Sequence, residues 1–474
     1  MLLDEYLCLD NMDLLTRPAS VQKTVLGKSF RPFLIDVLYP LMEKLGDEIA
    51  YISNTAYLTL CDICITCDYR SLGDLIQDNM DYIMNAISLR LRHFEHKRRC
   101  PLVLKVILQY SDACVLTVIE DTTNEILLCM DEYYGDEAVL FMDVFNELAK
   151  GVTRWFNLQK VEELDEQLCE KKDDQRKTLQ SSVEEIKEFY LSYHKQKHIA
   201  EFFMEDIDTE PDVEQPDLST DHTYVDSAEE EKQIPKHITI MKEVMLRCKH
   251  LLSSHNPRLQ LKVLDTVSFC ARALHSHQDE LLPLVHELWQ PFSHRFVDEE
   301  KLVIIKAMET LAVLAEVSGD FIKRRTMKDV FPKVSQFLKK QGLISVSTGP
   351  AYLHTVIYKL QLSFLGHIGH VAKKIGAEEN DADMVATACL PYLSARQPSL
   401  LQKAAVNAFH VLIELEPDSM WLKLNHLYSP TEYTNSRSIF PTIKMSEGIG
   451  IRNEYTDNVM ELLKSNRLFC PILK

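Results

Sequence analysis

Apolar residues return every three or four positions through most of the 474-residue chain, in blocks of about 14 to 25 residues parted by short polar breaks. Each such block is a helix with an apolar stripe, and a chain built of them must bury every stripe against a neighbouring helix. Clear cases are "SFRPFLIDVLYPLMEKLGD" (29–47), "DEIAYISNTAYLTLCDICITCDY" (47–69), "VLTVIEDTTNEILLCMDEYYGD" (115–136) and "EAVLFMDVFNELAKGVTRWF" (137–156). The second half continues with 257–277, 279–296, 299–319 and "FIKRRTMKDVFPKVSQFLKKQG" (321–342). Only 13 glycines occur, too few for an all-β fold with many tight turns, and no dinucleotide fingerprint is present. The fold class is therefore all-α.

Three blocks share a finer pattern. "LYPLMEKL" from Leu38, "LLPLVHEL" from Leu281 and "VFPKVSQF" from Val330 repeat two apolar residues, proline, any residue, apolar, two of any kind, apolar. The last two copies lie 49 residues apart, close to the roughly 40 to 47 of HEAT and armadillo units. A proline bending the first helix of each pair predicts an α-solenoid of HEAT/armadillo-like repeats. The expected order is a first solenoid part (1–156), a charged insert (157–234), a second part (235–430) and an irregular tail (431–474) ending in a short helix (458–469). Within the insert, 181–203 reads as one amphipathic helix, while 205–233 carries Pro211 and Pro216 and little apolar pattern.

Charge limits the function classes. The net charge is −19, and residues 201–232 alone hold 13 acids and one base. A general nucleic-acid binder needs a basic field, so none is expected. No apolar run reaches the roughly 20 residues that span a bilayer, and Met1 opens on "MLLDEYLCLD" rather than a basic secretory start. The 12 cysteines are thus expected to be reduced, in a cytoplasmic protein with the nucleus as a second location.

"TLCDICITCDYRS" places cysteines at 61, 64 and 67, within about 120° of one another on a helix and beside Leu60, Ile63 and Ile65. An iron–sulfur cluster needs a loop and a fourth cysteine, but Ser71 stands at that position; a zinc site needs a second ligand pair. The stretch reads as a buried helix. "HELWQ" at His286 lacks the second zincin histidine, which is Gln290, and His367 with His370, or His93 with His96, have no visible third ligand. Neither G-x-S-x-G nor a phosphate loop occurs. No catalytic, cofactor-binding or metal-ligating residue is assigned.

The remaining candidates are contact residues. "ISLRLRHFEHKRRCP" (87–101) carries Arg90, Arg92, Lys97, Arg98 and Arg99. One reading is a solvated helix end whose cations suit the dipole; the other is a docking patch for an acidic partner or for the acidic insert. Trp289 and Phe292 flank Pro291, and Trp421 and Tyr428 sit in "PDSMWLKLNHLYSP"; such aromatics either anchor interfaces or fill the core. Ser227, in "SAEEE", fits an acid-directed kinase site.

Several stretches go further. "DNMDYIMNAISLRLRHFEHKRRCPLVLKVILQYS", "NPRLQLKVLDTVSFCARAL", "TVIYKLQLSFLGHIG" and "ACLPYLSARQPSLLQKAAVNAFHVLIELEPDSMWLKLNHLY" closely resemble the C-terminal half of the TELO-two-interacting protein one family. The resemblance covers most of 47–430; the tail after Pro430 departs from it, although "NVMELLKS" is similar to the family's closing helix. Members are longer, with an N-terminal HEAT array ahead of this part, so the chain looks like a C-terminal half. What the resemblance implies is a scaffold without catalytic residues. Family members join Tel-two and Tti-two in the Triple T complex, which works with the Hsp90 co-chaperone machinery to mature phosphatidylinositol 3-kinase-related kinases of the mTOR, ATM and ATR type. Two rivals share the solenoid: an importin-type transport receptor and a phosphatase regulatory scaffold. The cysteine reading has its own test. Elemental analysis of purified protein is expected to find zinc and iron far below one atom per chain, and a stoichiometric metal would overturn the core-helix assignment.

Overall fold

A computed structural model describes residues 27–94, 98–133, 137–156, 235–428 and 453–465. After a 3-10 turn (Gly27–Phe33), the first array of helices runs α1 (Leu34–Leu45), α2 (Ala50–Cys67), α3 (Leu72–Asp78), α4 (Met80–Leu91), α5 (Cys100–Tyr110), α6 (Leu116–Glu132) and α7 (Glu137–Trp155). It continues with α8 (Lys236–Leu251), α9 (Pro257–Ala273), α10 (Gln278–His294), α11 (Lys301–Ser318) and α12 (Phe331–Ser345). The last helices are α13 (Val356–Lys374), α14 (Glu379–Cys389), α15 (Ser399–Leu415), α16 (Pro417–Tyr428) and α17 (Thr456–Ser465). No strand occurs among the described residues.

The helices stack in two layers. One layer runs α1, α5, α7, α9, α11, α13, α15, each packed on the next; the other runs α4, α6, α8, α10 and then α12, α14, α16. This is the expected solenoid. Local sequence sets the helix ends: Asn256 caps α9 by accepting from the amides of Arg258 and Leu259 with Pro257 in the first turn, and Thr355 caps α13 through the amide of Tyr358. Helix α11 stops at Gly319, whose φ of 53° lies in the region that favours glycine.

Helices of the first layer are covered on several sides. In α11, Val303, Ala307, Met308, Leu311, Leu314 and Ala315 are all buried, and Thr310 hides its hydroxyl by donating to the Leu264 carbonyl of α9 (3.2 Å). Gly369 lets α13 approach α15 closely, because a Cβ there would stand 3.0 Å from the Ala408 carbonyl oxygen. A buried polar chain ties α12 to α13: Gln361 donates to the Tyr392 hydroxyl (2.8 Å), which donates to the Leu338 carbonyl (3.0 Å).

Ion pairs cross the joints between stacked helices. Asp143 of α7 sits between Lys105 of α5 (3.9 Å) and Lys262 of α9 (2.6 Å), and Asp265 of α9 meets Lys306 of α11 (2.5 Å). In the other layer Arg247 of α8 meets Asp131 of α6 (3.4 Å), and Lys423 of α16 meets Asp383 of α14 (2.7 Å). Two of these pairs join helices from opposite sides of 157–234. At the same place the rings of Phe156 and His237 stack 3.9 Å apart. The helices before and after the insert thus form one compact unit. The helix expected over 181–203 and most of the tail lie outside the described residues; α17 covers part of the closing helix.

Proline does not recur as the repeat pattern suggested. Pro283 lies inside α10, but Pro332 sits in the first turn of α12, and Pro40 belongs to α1 in the opposite layer. The block 321–342 is also broken: a short helix (Lys323–Arg325) and a π turn (Thr326–Val330) precede α12. The ring removes a hydrogen-bond donor, which costs nothing in a first turn and one helical hydrogen bond inside a helix, where Pro40 and Pro283 lie. Leu311→Ala is expected to lower unfolding free energy by about 2–5 kcal/mol and Tyr392→Phe by about 1–3 kcal/mol. Leu343→Ala, on a residue 76% exposed, is expected to change it by less than about 0.5 kcal/mol, all read by urea titration.

Candidate partner-binding surfaces

Helix α2 has two unlike sides. Cys64 and Cys67 are buried and Cys61 is half-buried, with the Arg31 guanidinium donating to the Cys67 carbonyl (2.7 Å). Burial pushes the Cys64 thiol up to about 11, with the other two cysteines adding to the shift. A thiol held protonated in this way is a weak nucleophile. Among the described residues, no cluster of three or more His, Cys, Asp or Glu is placed to hold a metal. The opposite side carries Tyr51, Leu58 and Ile65, seven residues apart and 69%, 65% and 78% exposed. Ile65, expected in the core, therefore faces solvent. A groove of about 490 Å³ beside it is lined by Tyr57, Tyr69, Arg70 and Tyr110.

The arginine stretch does not form a single free patch. Arg90 lies over the Tyr39 ring of α1, 3.7 Å from its centre. Arg92 faces Glu125 of α6 (3.9 Å), and Arg98 pairs with Glu137 at the start of α7 (2.9 Å). Arg99 reaches Asp47 (3.6 Å) and Glu43 (4.0 Å) around the end of α1. The four cations fan out to three neighbouring helices and the turn after one of them. Arg92 and Arg98 stay the most open, with side chains 71% and 62% exposed. Lys97 and His96 lie outside the described residues.

Of the aromatic candidates, Trp289 is 6% exposed and donates its indole N–H to Asp329 (2.9 Å), tying α10 to the π turn. Phe292 is fully buried. Trp421 is half-buried on α16 beside Leu422, which is 64% exposed; the Tyr428 side chain lies outside the described residues. His286 contacts Arg325. His367 and His370 line a groove of about 370 Å³ across α9, α11 and α13, with Glu316 and Lys306. Burial holds His370 below its ordinary value, helped by Lys374 and opposed by Glu316.

One feature escaped the motif search. Residues 320–340 hold seven bases and two acids, a net of +5 in a chain of −19. Counting charge along each block, not only in runs, would have found it. One of these bases, Lys333, lines a cleft of about 240 Å³ with Lys301, Asp298 and the apolar Val297, Ile304, Phe337 and Phe364. Among the described residues, no helix is long and apolar enough to cross a membrane.

With the geometry in place, comparison with known proteins is informative. The family described as TTI1 C-terminal TPR domain matches residues 144–421, and the family TELO2-interacting protein 1 matches 38–127. A human TELO2-interacting protein 1 homolog is 37% identical over 450 residues, covering 93% of this chain and 41% of that protein. TEL2-interacting protein 1 of Saccharomyces cerevisiae is 29% identical over 126 residues, covering 26% of this chain and 12% of its own length. Among solved structures, a Kap95:Nup1 complex aligns at 10% identity and a TM-score of 0.31, over 96% of this chain and 60% of that one; so distant a likeness carries no argument.

The buried thiols make a pH prediction. Burial raises Cys100, Cys270 and Cys389 to about 12. In the unfolded chain such thiols ionise near pH 8.5. The stability they contribute is complete below that pH and is lost as pH rises toward 11–12, because only the unfolded state releases the protons. Urea midpoints are expected to fall steadily above about pH 8.5. Among the nine described cysteines, exposed Cys114 is expected to be alkylated first.

Proposed function

The chain belongs to the TELO2-interacting protein 1 family, and from that premise we propose that it is a non-catalytic scaffold which binds a TELO2-type protein. It spans 41% of the length of the human relative it matches, so the proposal concerns this part of the array. The observation that carries it is the match over 144–421, which runs through the stacked helices on both sides of the insert. A two-layer stack offers a long surface whose charged residues lie across its joints and whose apolar residues fill its core. Such a surface suits protein recognition.

The finer reading follows from the family resemblance. The chain serves as the Tti-one subunit of the Triple T assembly with Tel-two and Tti-two. The assembly works with the Hsp90 machinery to stabilise phosphatidylinositol 3-kinase-related kinases, in the cytoplasm and also the nucleus. Arg92 and Arg98 are the arginines placed to meet an acidic partner, since their side chains stay more than half exposed beside Glu125 and Glu137. Half-buried Trp421 of α16 supplies a second, aromatic contact.

Affinity purification of the tagged chain from its own cells, read by mass spectrometry, tests this. Recovery of a TELO2-type protein with the large kinases is the expected result. Recovery of basic nuclear cargo or a phosphatase in its place would leave the fold and remove the function. Arg92→Glu with Arg98→Glu is expected to weaken that recovery about tenfold while changing stability by no more than about 1–2 kcal/mol, because exposed pairs contribute little. Undiminished recovery would take the two arginines out of the interface.

A further inference from the structure

A helix that closes a stacked array needs a polar outer side, because an apolar one draws other molecules onto it. Helix α17 meets that requirement: it buries Val459, Leu462 and Leu463 and exposes Asp457, Glu461, Lys464 and Ser465. Helix α2 does not. It packs on α1, the 3-10 turn and α3, and its buried side is Ile52, Ala56, Leu60, Ile63, Cys64 and Cys67. The uncovered side carries exposed Tyr51, Leu58 and Ile65, with exposed Asn54 and Tyr57 and half-buried Cys61 between them. A contiguous apolar patch of this kind marks an interaction site.

Its spacing says what shape of partner fits. Steps of seven residues keep Tyr51, Leu58 and Ile65 on one line along the helix, and Asn54 and Cys61 fall three residues after the first two. This is the seam on which a second helix lies lengthwise. From Tyr51 to Ile65 it runs about 21 Å, or roughly four turns. Beside it lies the groove of about 490 Å³, walled by Ile65 and by the stacked rings of Tyr57 and Tyr110, whose centres are 6.1 Å apart. A seam next to an aromatic-walled groove receives the apolar side of an amphipathic helix.

Charge selects the occupant further. Residues 47–81 hold seven acids and one base, Arg70. Arg70 lines the groove, but so do exposed Asp74 and Asp112, neither of which makes an ion pair among the described residues, and Asp62 is exposed on α2 between Leu58 and Ile65. Two other arginines nearby are turned to the backbone: Arg31 donates to the Cys67 carbonyl and lies over the Tyr69 ring, and Arg154 donates to the Leu108 carbonyl. A second copy of this chain would bring the same acids, and a net charge of −19, against these. We propose that the outer side of α2, with its groove, is the docking surface for a basic amphipathic helix of a partner protein, whose apolar side covers Tyr51, Leu58 and Ile65 and whose lysines or arginines face Asp74 and Asp112. The surface includes none of Arg92, Arg98 and Trp421.

A designed 14-residue peptide of leucine and lysine with one apolar helical side is the probe. The readout is the peptide concentration that halves the alkylation rate of Cys61 in the full chain, mapped by mass spectrometry with exposed Cys114 as the internal reference. The expected result is protection of Cys61 with Cys114 unchanged. Leu58→Ser with Ile65→Ser, on exposed side chains that leave the core intact, is expected to raise the required concentration about tenfold or more. Asp74→Asn with Asp112→Asn, which keeps the apolar seam, is expected to raise it about threefold. Unchanged protection in both variants would overturn the proposal. So would equal protection by a leucine–glutamate peptide of the same pattern or by a leucine–lysine peptide of scrambled order, and so would binding of the probe that leaves Cys61 fully reactive. Protection that grows with protein concentration and needs no peptide would make a second copy the occupant and overturn it too. None of these readings depends on recovery of a TELO2-type protein, so this proposal and the proposed function fail separately.

Discussion

Helix α11 has almost no face to give to water, and the array depends on that fact. Packed on α9 and α13 in its own layer and on α10 beside it, it buries apolar residues around most of its circumference. A helix of that kind is unstable alone, since its burial comes entirely from neighbours. The first-layer helices between α1 and α15 are likewise packed on both sides, so stability passes from one joint to the next in place of gathering in one central core. The ion pairs across the joints add little apiece, yet they sit where a slip of one helix past another would separate them. Polar atoms inside, such as Thr310 and Tyr392, are matched to carbonyls across a joint and so fix the register further.

The same constraint explains how the chain carries 78 residues between Phe156 and Pro235 without dividing the array. Helix α7 needs a neighbour on its far side, and α9 is that neighbour, whatever the length of chain between them. Loop-closure entropy grows only with the logarithm of length, so even a long insert costs little once both ends are fixed. The stacked rings of Phe156 and His237, with Asp143 holding Lys262 and Asp131 holding Arg247, mark where the ends are fixed.

Much of the fold was legible because helical period and glycine scarcity are local signals. The α-solenoid and the helix over the three cysteines follow from residue spacing, and the family resemblance follows from longer stretches. What spacing cannot supply is the partner of a side chain. Arg92 and Arg98 read as a free patch because Glu125 and Glu137, about 30 to 40 positions away in sequence, come beside them only on folding. Ile65 read as core because α2 is apolar on both sides, and only the neighbours decide which side is covered. The proline pattern misled for a related reason: the same residues suit a helix interior in α10 and a first turn in α12. The bases of 320–340 were visible in sequence but spread among apolar residues, and folding brings only Lys333 of them into the lining of a cleft.

The account stands most directly on the joint between α7 and α9. Replacing residues 158–233 with a short glycine–serine linker and measuring urea unfolding by circular dichroism tests that joint alone. If the helices on both sides form one stack, the shortened chain unfolds in a single transition with a free energy within about 1 kcal/mol of the full chain's. If its two parts unfold at separate urea concentrations, the two sides do not share a stack and the single-array account is wrong.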